Sequence, residues 1–293
     1  MVETLTTAYG DHVKRALALS KVPTVVTEEN VYQRGSEDIL LILDEMIDAL
    51  LLPGSGFDGM ENLEKLFSLA KSGKSCLLLV EHYSNMDLSI VSTLLRDAGG
   101  SGKEIRNSII AISGIKLNED SPVVAAFTGA YTKIVIYPSR SLQGLDPEKD
   151  KAEIARSAII NRAAMKALIR HKYKGNLVLV FPSGTRYRPW EPETTKGVRE
   201  IDSYIRSFDY MCFVALNGQV LHVQKTDMMN DAISKDVVIV TVGPVLPCGE
   251  FRDNVIKAAT EDEDKKQAVA DAIMNELEKL HITAEEKRQK LLK

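Results

Sequence analysis

Two side chains five residues apart could form a general base at the end of a predicted strand. His82 and Asp87 belong to the segment 82–87 (His-Tyr-Ser-Asn-Met-Asp), which follows an apolar run ending at Val80. Histidine has an ordinary pKa of about 6.5, and a carboxylate on one ring nitrogen fixes the tautomer and stabilises the imidazolium. A tight strand-to-helix turn brings residues at this spacing together, and ligands bind at the carboxyl ends of strands in α/β sheets. The pattern predicts a pair that removes a proton from a substrate hydroxyl.

The same segment is also typical of a helix start. Ser84 and Asp87 have the Ser-x-x-Asp spacing, in which Ser84 would be the N-cap and Asp87 would bond back to it. His82 would then be an ordinary loop residue. The spacing alone leaves both interpretations open.

A second loop whose residues could take part in chemistry is the segment 181–189 (Phe-Pro-Ser-Gly-Thr-Arg-Tyr-Arg-Pro), which also follows an apolar run. Gly184 lets the backbone approach a ligand closely and offers amide N–H groups to an oxyanion. Arg186 and Arg188 carry forked donors that suit phosphate oxygens. The segment therefore predicts an anion-binding loop.

Arg140 follows a third apolar run and is a further candidate for phosphate binding. Alternatively, the arginines make ion pairs with carboxylates near them in sequence, namely Glu191, Glu193 and Asp146. A histidine loop and basic loops at the ends of several strands together indicate a pocket with a base and an anion cradle.

The elements that must position these residues follow from apolar periodicity. Helices are predicted to about residue 52 and then over about 60–71, 88–98, 121–130, 151–173 and 261–280. Thr260 and Glu263 have the capping-box spacing at the start of the last helix, and the Lys- and Glu-rich tail after it is interpreted as a solvated face. Strands are predicted over 75–80, 108–112, 133–137, 176–181, 211–216 and 237–242.

This alternation predicts an α/β fold with a central mixed, mostly parallel sheet covered by helices. Residues 1–55 are expected to form a short N-terminal helical segment. Residues 56–293 are expected to form the α/β domain, ending in a C-terminal helix.

Composition restricts the classes of function. Of the 293 residues, 44% are hydrophobic and 27% are charged, which indicates a sizeable core. The net charge of −4 argues against nucleic acid as a partner, because phosphate backbones require a basic surface. Cys76, Cys212 and Cys248 are widely spaced, so neither a disulfide framework nor a metal site is predicted.

The expected compartment is the cytoplasm. The N-terminus has no signal-peptide pattern, and buried unpaired cysteines suit a reducing environment. The most apolar stretch, residues 39–52, contains Asp44, Glu45 and Asp48 and is too short to cross about 30 Å of hydrocarbon. A lipid substrate would have to be met from the aqueous side.

Taken together, these blocks resemble the signatures of the glycerolipid acyltransferases. That family has a His-x4-Asp block, a downstream basic block and a Phe-Pro-x-Gly-Thr-Arg block, which match His82 with Asp87, Arg140, and residues 181–186 in the family's order. The Pro-Ser-Gly-x-Arg-x-Arg-Pro run of the soluble, plastid-type glycerol-3-phosphate 1-acyltransferases matches residues 182–189. The resemblance covers roughly residues 60–245. Glu81 stands where the family often has Asn, and Ser183 where many membrane-bound members have Glu.

The resemblance implies an enzyme that acylates the 1-hydroxyl of glycerol 3-phosphate to give lysophosphatidate. His82 and Asp87 would be the catalytic dyad, Arg140, Arg186 and Arg188 would bind the phosphate, and backbone amides at Gly184 would bind an oxyanion. The acyl donor would be acyl carrier protein or CoA thioester, with no cofactor, no metal and only transient contact with a membrane surface. The alternatives are a lysophosphatidate acyltransferase and a non-catalytic relative that binds phosphate or acyl carrier protein.

Overall fold

The computed structural model describes residues 3–226 and 228–292. Within them the α-helices are Leu5–Leu19 (α1), Glu37–Leu50 (α2), Met60–Lys71 (α3), Asp87–Asp97 (α4), Gly102–Ser108 (α5), Lys116–Glu119 (α6), Pro122–Thr128 (α7), Lys151–His171 (α8), Ile201–Ser207 (α9), Cys248–Ala258 (α10) and Lys265–Leu291 (α11). The strands are Tyr32–Gln33 (β1), Gly56–Asp58 (β2), Cys76–Val80 (β3), Ile109–Gly114 (β4), Lys133–Ile136 (β5), Leu177–Val180 (β6), Tyr210–Asn217 (β7), Leu221–His222 (β8), Ala232–Ile233 (β9), Ile239–Val242 (β10) and Leu246–Pro247 (β11).

One large mixed sheet organises the chain. Its strand order is β1-β5-β4-β6-β3-β7-β10-β2, and β11 also pairs with β7. The neighbours β5, β4, β6, β3 and β7 run parallel to one another. The strand β1 pairs antiparallel with β5, and β10 and β11 pair antiparallel with β7, whereas β2 pairs parallel with β10. The strands β8 and β9 form a separate antiparallel pair. The predicted α/β class with a mostly parallel central sheet is confirmed.

The central strands are apolar on both faces because helices cover both sides of the sheet. In β3, Leu78 and Val80 belong to one core with residues of α2, α3 and α4, whereas Leu77 and Leu79 belong to a second core with residues of α8, α9 and α11. These four side chains are at most 2% exposed. Burial of a leucine side chain stabilises a fold by roughly 1.5–3 kcal/mol, so these short runs contribute strongly to the sheet.

The N-terminal helices pack in the same core as the sheet. Leu5 of α1 and Met46 of α2 are fully buried in the core that contains Leu78. The predicted helical stretch to about residue 52 is interrupted, since α1 and α2 are separated by a loop and by β1. A buried polar contact fixes α2 to the domain, where Asp44 accepts hydrogen bonds of 2.7 and 2.8 Å from Arg106 Nη2.

The last helix begins later than predicted. Its first residue is Lys265, and Asp264 is the N-cap, with a carboxylate that accepts from the backbone N–H of Gln267 at 3.4 Å. Glu263 does bond back to the backbone N–H of Thr260 at 3.2 Å, as a capping box would. Two overlapping capping patterns occur in this segment, and the helix uses the second one.

The charged C-terminal tail, predicted as a solvated face, is the second half of this helix. It continues to Leu291 because one of its faces is buried through Ala284 and Arg288. Arg288 Nε donates to the carbonyl oxygen of Val237 at 2.7 Å, which ties the end of α11 to the region before β10. No helix in the described ranges is long and apolar enough to cross a lipid bilayer.

Candidate active site

The sheet order brings two of the predicted loops together. The strands β3 and β6 are parallel neighbours, so the loops that follow Val80 and Val180 leave the same edge of the sheet side by side. The strand β5 ends at Ile136 on that edge, two strands farther along. The histidine loop and the arginine loop are therefore adjacent, and the loop with Arg140 lies beyond them.

His82 and Asp87 form the pair that their spacing predicts. Nδ1 of His82 lies 2.9 Å from Oδ2 of Asp87. The Asp87 side chain is 4% exposed and the His82 side chain 16%. Because a carboxylate only accepts, the shared proton belongs to Nδ1 of the neutral imidazole, and Nε2 keeps its lone pair. No residue in the described part of the chain bonds Nε2, which leaves this atom able to take a proton from a ligand.

The Asp87 carboxylate is held in place by the loop that precedes it. It accepts from the backbone N–H of Tyr83 at 2.6 Å and from that of Ser84 at 2.9 Å, and from Ser84 Oγ at 2.7 Å. These donors orient the carboxylate toward His82 and limit its movement. The pair is thus positioned before any ligand binds.

The helix-start interpretation describes the same residues in part. The first residue of α4 is Asp87, and Met86 is its N-cap position, so Ser84 is not the N-cap that the pattern predicts. Ser84 Oγ instead accepts from the backbone N–H of Met86 at 3.1 Å. Asp87 does bond back to Ser84, and the same carboxylate also contacts His82. The structural role and the pairing with histidine coexist.

Phe181 stacks on the ring of His82. The two ring centroids are 3.9 Å apart and the ring planes differ by 15°. The backbone N–H of Tyr187 also donates to the carbonyl oxygen of His82 at 2.8 Å. Both contacts join the arginine loop to the histidine loop, and an aromatic face stabilises an imidazolium as it forms.

Gly184 closes a tight turn directly after β6. Its N–H donates to the carbonyl oxygen of Phe181 at 2.9 Å, and its φ is +64°. A Cβ at this position would lie 2.9 Å from Cγ1 of Val198. Both the backbone conformation and the available space therefore require glycine.

The turn changes which amides can serve as oxyanion donors. The N–H of Gly184, predicted for that role, is used inside the turn. The N–H groups of Thr185 and Arg186 have no hydrogen-bond partner among the described residues. These two amides and the N–H of Ser183 are free donors of the loop within the described ranges.

Arg186 is largely buried and has a carboxylate partner. Its Nη1 lies 3.5 Å from Oδ2 of Asp231, which is 1% exposed. Burial lowers the pKa of the guanidinium and Arg188 adds to the lowering, whereas the charges of Asp231 and Asp87 oppose it. Arg186 therefore lies within electrostatic range of the His82–Asp87 pair.

Arg188 makes the local ion pair that the alternative interpretation predicts. Its Nη1 lies 2.9 Å from Oε2 of Glu191. The other two carboxylates considered as partners do not contact the arginines, because Glu193 pairs with Lys196 at 3.0 Å and Asp146 lies 4.0 Å from Lys149. Of the three predicted phosphate ligands, Arg188 therefore makes the surface ion pair with a carboxylate near it in sequence.

Arg140 is not part of the arginine loop and lies in the loop after β5. It belongs to the 3₁₀ turn Ser139–Leu142 after β5, and with His82 and Gly184 it lines a cavity of about 390 Å³. Within the described ranges no carboxylate lies within 4.0 Å of its guanidinium. The remaining walls are mainly apolar and include Ile112, Leu117, Ile134, Ile136, Val180 and Leu168.

Two further cavities also reach His82. A cavity of about 80 Å³ lies on the α4 and α7 side of the sheet and includes Leu88 and Phe127 in its walls. One of about 540 Å³ is bounded by Tyr83, Tyr187 and residues of α11. His82 therefore stands where three cavities meet.

A second polar cluster adjoins the histidine, and the sequence patterns did not reveal it. Oε2 of Glu81 lies 2.9 Å from Nδ1 of His281 and accepts from the backbone N–H of Leu216 at 2.8 Å. The hydroxyl of Tyr83 donates to Oε1 of Glu81 at 3.1 Å. His281 belongs to α11, so this cluster fixes the C-terminal helix against the loop that carries His82.

The ionisation of His281 should make this attachment dependent on pH. Burial lowers the pKa of His281, but the hydrogen bond and charge of Glu81 and the charge of Glu285 outweigh burial and the repulsion of Arg288, so the pKa is raised. A raised pKa in the folded state gives stability that is complete below the ordinary pKa of about 6.5 and is lost as pH rises through the folded value. We expect His281→Gln to lower the free energy of unfolding by on the order of 1 kcal/mol at pH 6 and by less at pH 8.5.

Urea unfolding of wild type and variant at the two pH values measures this difference. His222→Gln is the matched control, because His222 bonds the Ser234 hydroxyl at 2.7 Å rather than a carboxylate. A loss of stability in His281→Gln that is the same at both pH values would rule out the charged contact with Glu81.

Among residues 3–226 and 228–292, no three His, Cys, Asp or Glu side chains are grouped so that they could hold a metal ion. Neither a comparison with models of protein families nor a comparison with curated proteins gives a match for this chain. A functional proposal therefore rests on the geometry around His82.

Proposed function

We propose that the protein transfers a fatty acyl group from acyl carrier protein or CoA thioester to the 1-hydroxyl of glycerol 3-phosphate, making lysophosphatidate. The observation that carries the proposal is the 2.9 Å contact between His82 and Asp87, at the point where three cavities meet. No serine or cysteine in the described ranges bonds Nε2 of His82. This arrangement suits a reaction in which the substrate hydroxyl is itself the nucleophile.

The cysteines support a direct transfer rather than a thioester on the protein. Cys76, Cys212 and Cys248 are buried, and burial raises the pKa of each thiol to about 12. A thiol that is protonated at neutral pH is a poor nucleophile.

In the proposed mechanism Nε2 of His82 takes the proton of the acceptor hydroxyl as its oxygen attacks the thioester carbonyl carbon. Asp87 stabilises the imidazolium that forms. The carbon–sulfur bond of the tetrahedral intermediate then breaks, and the imidazolium returns the proton to the leaving thiolate. General base catalysis of this kind is worth about 10²–10⁴ in rate. The free amides of Thr185 and Arg186 are the proposed donors to the oxyanion.

The apolar cavity that Arg140 and His82 line suits the acyl chain. Its volume of about 390 Å³ and its aliphatic walls are appropriate for a hydrocarbon tail whose thioester lies at His82. Lysophosphatidate is amphiphilic, and we propose that the protein works in the cytoplasm and contacts a membrane surface transiently when product leaves.

Arg140, Arg186 and Arg188 remain the phosphate ligands that the sequence proposes. Arg140 has no carboxylate partner in the described ranges and lines a cavity with His82. A phosphate at Arg186 or Arg188 would have to share or replace Asp231 or Glu191. The three arginines therefore differ in how readily they could bind phosphate, since only Arg140 could do so without sharing or replacing a carboxylate partner.

The reaction is tested by incubating the protein with radiolabelled glycerol 3-phosphate and either acyl carrier protein thioester or acyl-CoA. Labelled lysophosphatidate, separated by thin-layer chromatography, is the expected product. Parallel incubations with labelled lysophosphatidate as acceptor, and with free fatty acid in place of the thioester, serve as controls.

Each outcome distinguishes one interpretation. Product from glycerol 3-phosphate supports the proposal, and its dependence on one donor identifies that donor. Product from lysophosphatidate alone would replace the proposal with the second acylation step. No product from either acceptor with either donor would leave a non-catalytic binding protein.

A further inference from the structure

The outer face of α8 combines exposed apolar side chains with cations. Three large apolar side chains are about half exposed, namely Ile159 (46%), Met165 (49%) and Ile169 (54%). Three exposed cations lie between and beside them, namely Arg162, Lys166 and Arg170. At about 3.6 residues per turn these six positions fall within an arc of about 140°, and the buried positions of the helix lie on the opposite side. We call these six residues the α8 face. The outer face of a surface helix is ordinarily polar, so its apolar residues indicate a contact.

The segment 154–174 around this face is basic, although the whole chain has a net charge of −4. It contains no Asp or Glu and six basic residues, namely Arg156, Arg162, Lys166, Arg170, Lys172 and Lys174. Arg156 pairs with Glu119 and Glu153. The exposed cations at 162, 166, 170 and 174 make no ion pair with any residue that the structure describes. The positive charge of the α8 face is therefore not neutralised locally.

The histidine at the end of α8 is in a positively charged environment. Burial lowers the pKa of His171, and the charges of Lys174, Arg170 and Arg34 lower it further. Arg34 is exposed and belongs to the segment after β1, so the basic surface extends beyond the helix. Charge of this kind acts over about a Debye length, roughly 8–10 Å at ordinary salt. It attracts an anionic surface that comes into contact with α8, even though the protein as a whole is acidic.

The pattern of the α8 face suits a lipid surface better than a protein partner. Isoleucine and methionine side chains can insert among acyl chains, while Lys and Arg extend apolar stems and keep their charges at the headgroups. Arg162 and Lys166 lie between Ile159 and Ile169 on the helix surface. The apolar area is thus divided by charge, whereas charged residues are depleted at the centre of a protein interface.

The α8 face adjoins the cavity of about 390 Å³ that reaches His82. Met165 is half exposed and also lines this cavity, and Ala164 and Leu168 line it from the buried side of the helix. Glu200 is the single carboxylate in the cavity lining within the described ranges. Met165 therefore connects the outer face of α8 with the cavity.

We propose that the α8 face docks the protein on an anionic lipid surface, with the helix axis parallel to that surface. The docking itself does not require catalysis. What it achieves rests on the proposed acyl transfer, because a membrane at α8 lies next to the cavity assigned to the acyl chain. The hydrocarbon tail of lysophosphatidate then passes from the cavity into lipid without crossing bulk water.

The test is co-sedimentation of the full chain with sucrose-loaded vesicles of equimolar phosphatidylglycerol and phosphatidylcholine. We expect the wild type to bind these vesicles and to be released in about 1 M salt, where the Debye length is about 3 Å. The double variant Lys166→Gln, Arg170→Gln should bind about tenfold to thirtyfold more weakly, because each basic residue contributes about a factor of five near an anionic membrane. The double variant Ile159→Gln, Ile169→Gln should bind at least about tenfold more weakly, because two inserted apolar side chains are lost.

Matched controls lie on helices that cover the opposite face of the sheet. The double variant Lys65→Gln, Lys103→Gln removes two exposed positive charges from α3 and α5. Leu41→Gln removes a side chain of α2 that is 56% exposed. Both controls should bind vesicles like the wild type. Circular dichroism confirms that each protein is folded, and if a double variant of the α8 face does not fold, the single variant Ile169→Gln decides.

Each outcome bears on the docking surface separately from the reaction. Failure of the wild type to bind anionic vesicles would overturn the proposal, and so would equal binding by the wild type and the α8 variants. Binding of acyl carrier protein that depends on the α8 face, without binding to vesicles, would replace lipid with an acidic protein partner and overturn the proposal. Vesicle binding that requires the α8 face in a protein that makes no lysophosphatidate would support the docking surface and overturn the proposed reaction.

Discussion

Replacing His82 with alanine should abolish acyl transfer to glycerol 3-phosphate while the fold is retained. The substitution removes the only group in the described ranges that pairs with a buried carboxylate and also lines all three cavities. We expect kcat to fall by at least about 10²–10⁴, because the hydroxyl proton has no other acceptor in place. The measurement is the initial rate of lysophosphatidate formation at saturating substrates.

Stability should change little in this variant. Asp87 keeps its hydrogen bonds from Tyr83 and Ser84 when the imidazole is removed. Thermal unfolding followed by circular dichroism checks the fold, and His222→Ala provides a control at a histidine outside the site. A folded His82→Ala variant that retains most of its activity would exclude His82 as the base.

The elements of the fold are well predicted where one face of a segment is buried. Spacing predicts a helix over residues 60–71, and α3 has those bounds because Leu63, Leu66 and Phe67 are buried at helical intervals. The helix α10 is not predicted, and the reason is physical. Only Cys248 of this helix is fully buried, and its apolar side chains Phe251, Val255 and Ile256 are few and only partly buried, so the apolar pattern is short.

For the candidate site, the sequence predicts contacts between residues close in the chain and does not predict contacts that depend on strand order. His82 and Asp87 are close in sequence, so local geometry alone predicts their contact. The stacking of Phe181 on His82 depends on β6 lying next to β3, and periodicity does not encode strand order. Capping geometry and catalytic geometry also use the same carboxylate, which explains why spacing alone could not separate the two interpretations.

Sequence patterns do not predict contacts between segments that are far apart in the chain. Glu81 and His281 are 200 residues apart in sequence and 2.9 Å apart in space. Lys133 precedes the apolar run 134–136 and looks in sequence like an exposed strand end. The structure shows that it is buried, with its Nζ donating to Oγ1 of Thr128 at the end of α7.

Asp87→Asn should lower both turnover and stability. Asparagine keeps the size of the side chain but presents an NH₂ group where the carboxylate accepts from Ser84 and Tyr83. At least one buried donor loses its acceptor, which costs about 1–3 kcal/mol. His82 also loses the charge that stabilises its protonated form and the acceptor that fixes its tautomer. We therefore expect kcat to fall by about 10²–10⁴.

A matched variant separates the two effects. Asp44 is also a buried carboxylate, 2% exposed and bonded by Arg106 and Thr93, but it lines none of the cavities at His82. We expect Asp44→Asn to destabilise the protein by a similar amount and to leave kcat per folded molecule within a few-fold of the wild type. Urea unfolding gives the stability of each variant, and rates are compared at a temperature where both are folded. If the two variants lose turnover equally, Asp87 acts on stability alone and the histidine does not depend on its carboxylate.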